Sequence, residues 1–310
     1  MKYLKKGVLI FLILILGIII INYNSGTPIE KLVKKYTYPE SRFFEHNGMK
    51  VHYRITGKGP ALVLIHGVAS SLHTWEGWHK ELSNDFTVIS IDVPGFGLTG
   101  PNPTNDYSVQ MNMTMLDSLL DELGISTCFM AGNSYGGYLT WNYALHNKDR
   151  VKKIILLDAG GFNTSKKTDN PGFKLAMNPF TKKISHKITP YFIIKKSVEN
   201  VYGDKSKVTD SIVQQYYDLI LREGNREAFS EILLHLHSGK NNDELIKKVT
   251  QPTLIMWGSE DSIINANSAV SFNNAINNSE LIIYSGIGHI PMEEIPVKSA
   301  NDARKFLLVK

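Results

Sequence analysis

The chain is 310 residues long, 43% hydrophobic and 20% charged, with a single cysteine, Cys128. These values exclude a disordered or collagen-like chain, a polytopic membrane protein, a disulfide framework and a cysteine-based zinc site. The length suits one domain carrying a large insertion. The net charge is +5, but Lys2, Lys5 and Lys6 fall in the first six residues and leave +2 for the rest, too little to mark a nucleic-acid binder.

Residues 7–21 read GVLIFLILILGIIII and carry no polar side chain. Thirteen of them are Val, Leu, Ile or Phe, each favouring insertion at a helix centre by about 0.3–0.6 kcal/mol. The run predicts a transmembrane anchor within residues 1–23, with Tyr23 at one interface and the amino-terminal lysines kept in the cytoplasm. The remainder would then lie outside the membrane as a single-pass protein. Its reach, about 22 Å, is short for the hydrocarbon core. A cleaved signal peptide is the alternative, although Asn22–Pro28 offers no small-residue cleavage site. Residues 24–42, polar and Lys-rich, read as a stalk.

From residue 43 onward, β-rich and helical runs alternate. Val51–Thr56 alternates in polarity and ends at Gly57, as an antiparallel hairpin strand does. Ala61–Ile65, Phe86–Ile91, Cys128–Ala131, Ile154–Leu157, Thr253–Trp257 and Leu281–Tyr284 are continuous apolar runs, the pattern of buried parallel strands. Met111–Leu123, Tyr138–Leu145 and Ser299–Leu308 read as helices. The alternation predicts an α/β fold with a mainly parallel sheet covered on both faces. Residues 163–248 break it. They contain no convincing strand but two capped helices, Thr209–Arg222 and Asn225–His237. The expected division is therefore a core over 43–162, a helical insertion over 163–248 and the rest of the core over 249–310.

His66-Gly67 follows the strand Ala61–Ile65, where a loop can aim the Val68 N–H at a developing oxyanion. His66 itself reads as a loop-stabilising residue. Gly132-Asn-Ser134-Tyr-Gly136 fits G-x-S-x-G, between an apolar strand and a helix. Such a turn needs very small residues two before and two after the serine, and it exposes the serine Oγ, with the Tyr135 N–H as second oxyanion donor. Asp261 follows the strand Thr253–Trp257, and His289 follows Leu281–Tyr284. Strand ends are where an open parallel sheet gathers its site. Asp158, after Ile154–Leu157, and Glu260 stay open as alternative acids.

Ile65-His-Gly67, Asp92-Val-Pro-Gly-Phe-Gly97, Gly132-Asn-Ser-Tyr-Gly-Gly137, Gly258-Ser-Glu-Asp261 and Gly288-His289 together resemble the α/β-hydrolase fold family. The likeness covers residues 43–310 and places the helical insertion where that family carries a cap. It implies an eight-stranded sheet and a cofactor-free, metal-free hydrolase. In it Ser134 would be the nucleophile, His289 the base, Asp261 the acid and Val68 and Tyr135 the oxyanion donors. A serine at the elbow argues against haloalkane dehalogenases and epoxide hydrolases, which use an aspartate there. The elbow is similar to those of lipases, esterases and hydrolases that cleave carbon–carbon bonds of dienoic diketo acids. The expected activity is hydrolysis of a lipid-like or other hydrophobic carboxylic ester through an acyl-enzyme. Diketo-acid hydrolysis is the alternative, and a non-catalytic binding scaffold a third reading.

Three weaker signals remain. Lys166–Lys207 holds ten lysines against three acids, either a solvated face or a surface for anionic lipid. His235 and His237 point about 200° apart on a helix and cannot share a metal. Tyr216, Tyr217 and Phe229 read as packing residues before substrate clamps. Oligomeric state is not legible.

Overall fold

The structure, a computed structural model, describes residues 19–162, 171–178, 180–237 and 242–309, together with Tyr3, Lys6 and Gly17. Eight strands form one sheet: β1 (Ser41–His46), β2 (Met49–Thr56), β3 (Ala61–Ile65), β4 (Thr87–Ile91), β5 (Cys128–Asn133), β6 (Val151–Leu157), β7 (Thr253–Gly258) and β8 (Ser279–Tyr284). Their order is β1-β2-β4-β3-β5-β6-β7-β8.

The mainly parallel sheet expected from the sequence is corrected to a mixed one. β2 runs antiparallel to both neighbours, β1 and β4, and the other pairings are parallel. The cause is local. Asn47 and Gly48 take φ +49° and +79° between β1 and β2, the two-residue turn that joins antiparallel strands. β1 itself lies partly in the segment expected as a stalk. The Asn-Gly pair flanked by strand residues was the signal for it.

β3 shows why its sequence is apolar throughout. Val63 and Ile65 pack into the core on one face of the sheet, Leu62 and Leu64 into the core on the other. Period-two alternation then leaves no position for a polar side chain. Helices Glu76–Leu82, Val109–Glu122, Tyr135–His146, Asn267–Ala275 and Pro296–Leu308 cover the two faces. Between β6 and β7 the described residues are helical, with the longest helices at Tyr191–Val201, Asp210–Ile220 and Asn225–His237. Thr209 caps one of these, its side chain accepting from the Ile212 N–H at 3.3 Å.

The transmembrane helix is a second correction. Among the described residues no helix is long and apolar enough to cross a membrane. Of the run 7–21, only Gly17 and Ile19–Ile21 are described. The polar residues that follow the run bond to the cap. The Thr189 N–H reaches the Asn22 carbonyl at 3.4 Å, the Asn24 N–H reaches the Lys187 carbonyl at 2.8 Å, and Tyr23 bridges Ile188. The expected single-pass topology, extracytoplasmic placement and membrane contact through residues 7–21 are withdrawn on this finding. The cleaved-signal alternative falls largely on residues outside those described.

Residues 24–36 continue along the cap. The Thr27 N–H donates to the Leu221 carbonyl at 2.7 Å, and Arg226 Nη2 to the Asn24 carbonyl at 2.7 Å. The helix Ile29–Tyr36 buries Leu32 against Leu98 and Leu219. Part of the lysine excess of the cap is met by acids elsewhere in it. Lys182 faces Glu231 at 3.5 Å, Lys187 faces Glu227 at 3.8 Å and Lys195 faces Asp210 at 3.6 Å.

Candidate active site

Ser134 stands between β5 and the helix Tyr135–His146 at φ +54° and ψ −114°. A non-glycine residue there is strained by about 1–3 kcal/mol. The surroundings hold it so. A Cβ at Gly132 would strike the Gly136 carbonyl, and a Cβ at Gly136 would strike the Ile65 carbonyl. The glycines therefore let the turn close against β3, and Ser134 is left at its tip, mostly buried but lining a cavity.

His289 follows β8, and its Nδ1 donates to Asp261 Oδ2 at 2.7 Å. The Asp261 side chain is fully buried. Its other oxygen accepts from the Ile263 and Ile264 N–H groups at 2.7 and 3.0 Å, so the carboxylate is fixed before it meets the ring. His289 lines the same cavity as Ser134. Glu260 is exposed. Asp158, at the end of β6, is buried beside Asp261.

His66 is bound into the core. Its Nε2 accepts from the Val93 N–H at 2.9 Å, which puts the ring proton on Nδ1, 2.7 Å from the Gly67 carbonyl. Burial lowers its basicity further. Gly67 and Val68 line the cavity with Ser134, and Tyr135 follows Ser134 directly.

Two positioning residues escaped the reading of the sequence. Asn133, the unspecified position of the elbow, donates from Nδ2 to the Leu157 carbonyl at 3.2 Å and to the His289 carbonyl at 2.9 Å. Glu294 accepts from the N–H groups of Gly203, Asp204 and Gly288 at 3.0, 2.8 and 2.9 Å. It thus ties the His289 loop to the cap, and the His289 N–H adds a bond to the Val201 carbonyl at 2.7 Å. No motif in the chain marks either role, because both act through backbone groups distant in sequence. Glu294→Gln turns one acceptor into a donor facing N–H groups. It is expected to cost about 2 kcal/mol of stability and roughly tenfold in kcat, checked by denaturant unfolding and steady-state kinetics.

The cavity has a volume of about 650 Å³ including its open mouth. Val68, Phe173, Ile194, Val198, Ile220 and Ile290 are among its walls, and no lysine or arginine is among the described lining residues. Of the cap aromatics, Tyr216 lines it, with its hydroxyl donating to Glu293 at 3.0 Å. Tyr217 bonds the Thr189 carbonyl at 3.2 Å, and Phe229 packs on Phe96 and Phe173. His235 and His237 sit on the helix Asn225–His237.

The family model described as alpha/beta hydrolase fold matches residues 60–296. The 2-hydroxy-6-oxo-2,4-heptadienoate hydrolase of Pseudomonas putida is 27% identical over 250 residues, 78% of this chain and 87% of that protein. The meta-cleavage product hydrolase of Pseudomonas fluorescens has a similar structure, with a TM-score of 0.76 at 24% identity, covering 86% of this chain and 97% of that one. A bacterial membrane phospholipase A reaches a TM-score of 0.75 at 20% identity, covering 99% of this chain and 98% of that one. The two structural likenesses speak to fold alone. The match over residues 60–296, on a sheet whose strand ends carry Ser134, Asp261 and His289, shows that this chain belongs to the α/β-hydrolase fold family.

Proposed function

We propose that the enzyme hydrolyses an uncharged carboxylic ester with an apolar acyl part, through a serine acyl-enzyme. His289 Nε2 takes the Ser134 proton as Oγ attacks the carbonyl carbon. Asp261 holds the ring by Nδ1 and stabilises the imidazolium. The Val68 and Tyr135 N–H groups receive the oxyanion, an effect of about 3 kcal/mol per donor. The imidazolium returns the proton to the leaving alcohol, and water releases the acyl group by the reverse path.

The observation that carries the ester reading is the cavity wall, apolar and without a cation among its described residues. A diketo acid brings a carboxylate, and burying it unpaired costs several kcal/mol. The curated relatives favour the second reading, hydrolysis of a carbon–carbon bond in a dienoic diketo acid by the same serine and histidine. The relative from Pseudomonas putida is a hydrolase of that kind by name. The lipase-like expectation is not carried forward. The named curated relative is not a lipase, and the likeness to a phospholipase, at 20% identity, is one of fold.

Both substrates offered to one preparation separate the readings. The kcat/KM for 4-nitrophenyl butyrate is expected to exceed that for 2-hydroxy-6-oxo-2,4-heptadienoate by at least about a hundredfold, the equivalent of roughly 2.7 kcal/mol. The opposite order establishes the carbon–carbon reading and removes the ester one. Within the ester series, Val198→Phe is expected to lower kcat/KM for long acyl chains about tenfold while sparing acetate, because Val198 is a buried wall of the cavity.

A further inference from the structure

Asp158 has no role in the chemistry described so far, yet its carboxyl is fully buried at the end of β6. It holds φ +46°, a left-handed conformation that aspartate and asparagine adopt more readily than other side-chain-bearing residues. Its Oδ1 accepts from the Gly258 N–H at 2.9 Å. Its Oδ2 is buried with no hydrogen-bond partner of its own. One oxygen of Asp158, one of Asp261 and a ring nitrogen of His289 all lie within 4.8 Å of one another.

Two carboxylates this close, out of water, do not both ionise. Both oxygens of Asp261 already accept, one from two backbone N–H groups and the other from the His289 ring, whereas Asp158 Oδ2 has no donor facing it. The proton therefore belongs to Asp158. Burial, and then the charge of Asp261, push the Asp158 carboxyl well above the usual carboxylate range. The pattern of contacts agrees with a neutral acid. The oxygen that accepts an N–H is its carbonyl, and the oxygen without an acceptor is its hydroxyl, which needs one.

We propose that Asp158 is a neutral positioning residue whose Oδ2–H is directed at the Asp261 carboxylate and holds it against His289 Nδ1. This rests on Asp261 being the acid of the triad. The other titratable groups around Asp158 are His289, Glu294 and Tyr284. Through that bond Asp158 sets how the Asp261 carboxylate meets the His289 ring, and the pH dependence of turnover reports the loss of the donor.

The test compares Asp158→Asn, Asp158→Ala and Asp261→Ala in the full chain, on an ester substrate, across pH. Asparagine keeps an acceptor for the Gly258 N–H and a donor toward Asp261. Asp158→Asn is expected to hold kcat within about threefold and leave the acid limb of kcat/KM within about 0.2 pH units of wild type. Asp158→Ala is expected to lower kcat about tenfold at an unchanged KM and to move that limb up by about 0.5–1 pH unit. If Asp158→Asn moves the limb as far as Asp158→Ala, or if Asp158→Ala behaves as wild type, the proposal is overturned. Should Asp158→Ala fail to fold, Asp158→Gly, which also lacks the donor and is unstrained at φ +46°, takes its place in the comparison, with the same expected and overturning results. Wild-type turnover in Asp261→Ala would instead remove the triad assignment, a failure separate from this one.

Discussion

Ser134→Ala is expected to lower kcat by at least about 10⁴-fold on whichever carbonyl substrate the enzyme accepts. The protein should remain folded. The reason is the separation of chemistry from architecture at the elbow. In the proposed mechanism the hydroxyl is the only part of Ser134 that reacts, whereas the turn is made by Gly132 and Gly136 closing on β3. Ser134→Gly extends the argument. At φ +54° and ψ −114° a side chain is strained and glycine is not. The glycine variant is expected to be as inactive as the alanine one, yet more stable than wild type by about 1 kcal/mol. Steady-state rates and thermal unfolding of the three proteins check both parts. An active alanine variant would remove the nucleophile assignment, and a glycine variant less stable than wild type would remove the strain.

The second large effect concerns Asp92, which lies just past β4 and is completely buried. Its carboxylate bonds His52 Nδ1 at 2.7 Å and accepts from the Leu72 and Leu98 N–H groups, each at 2.7 Å. It thereby joins the loop after β3, which lines the cavity, to the loop after β4. Burial opposes its charge, but His52 at contact distance, with His66 and His73 nearby, prevails and lowers the carboxyl to about 2. Asp92→Asn removes the charge and sets an amide NH₂ against a backbone N–H. It is expected to cost about 3 kcal/mol at pH 7. The sign with pH follows from the lowered value. The stabilisation from Asp92 is complete above its unfolded value, near 4, and is lost as pH falls toward 2. The gap in melting temperature between wild type and Asp92→Asn should therefore be widest at neutral pH and should narrow between pH 4 and 2. A gap that stays constant over that window would sink the account.

Features set by a few neighbouring residues were legible in the chain. The apolar run Ala61–Ile65 had to be a central strand, and both of its faces are indeed covered. The Gly132 and Gly136 pair had to mark a tight turn around Ser134. The helix read over Asn225–His237 has those bounds in the structure. β1 is legible in principle from Asn47-Gly48, although its strand follows a polar segment. The apolar run 7–21 reads as an anchor in the sequence, whereas among the described residues no helix is long and apolar enough to cross a membrane, and the residues after the run bond to the cap.

What the chain could not express is which groups meet across the sheet. Asp158, Asp261 and His289 each follow a strand, and nothing in their spacing says that β6, β7 and β8 lie side by side. Only that order brings the three together and makes one aspartate a partner of the other. Asn133 and Glu294 work in the same way, through carbonyl and N–H groups far along the chain. Turns, caps and alternating faces are decided over the few residues that a local backbone conformation spans. Contacts between strand ends, and the apolar wall of the cavity, depend on sheet order and cap docking, and these are set by burial summed over the whole molecule.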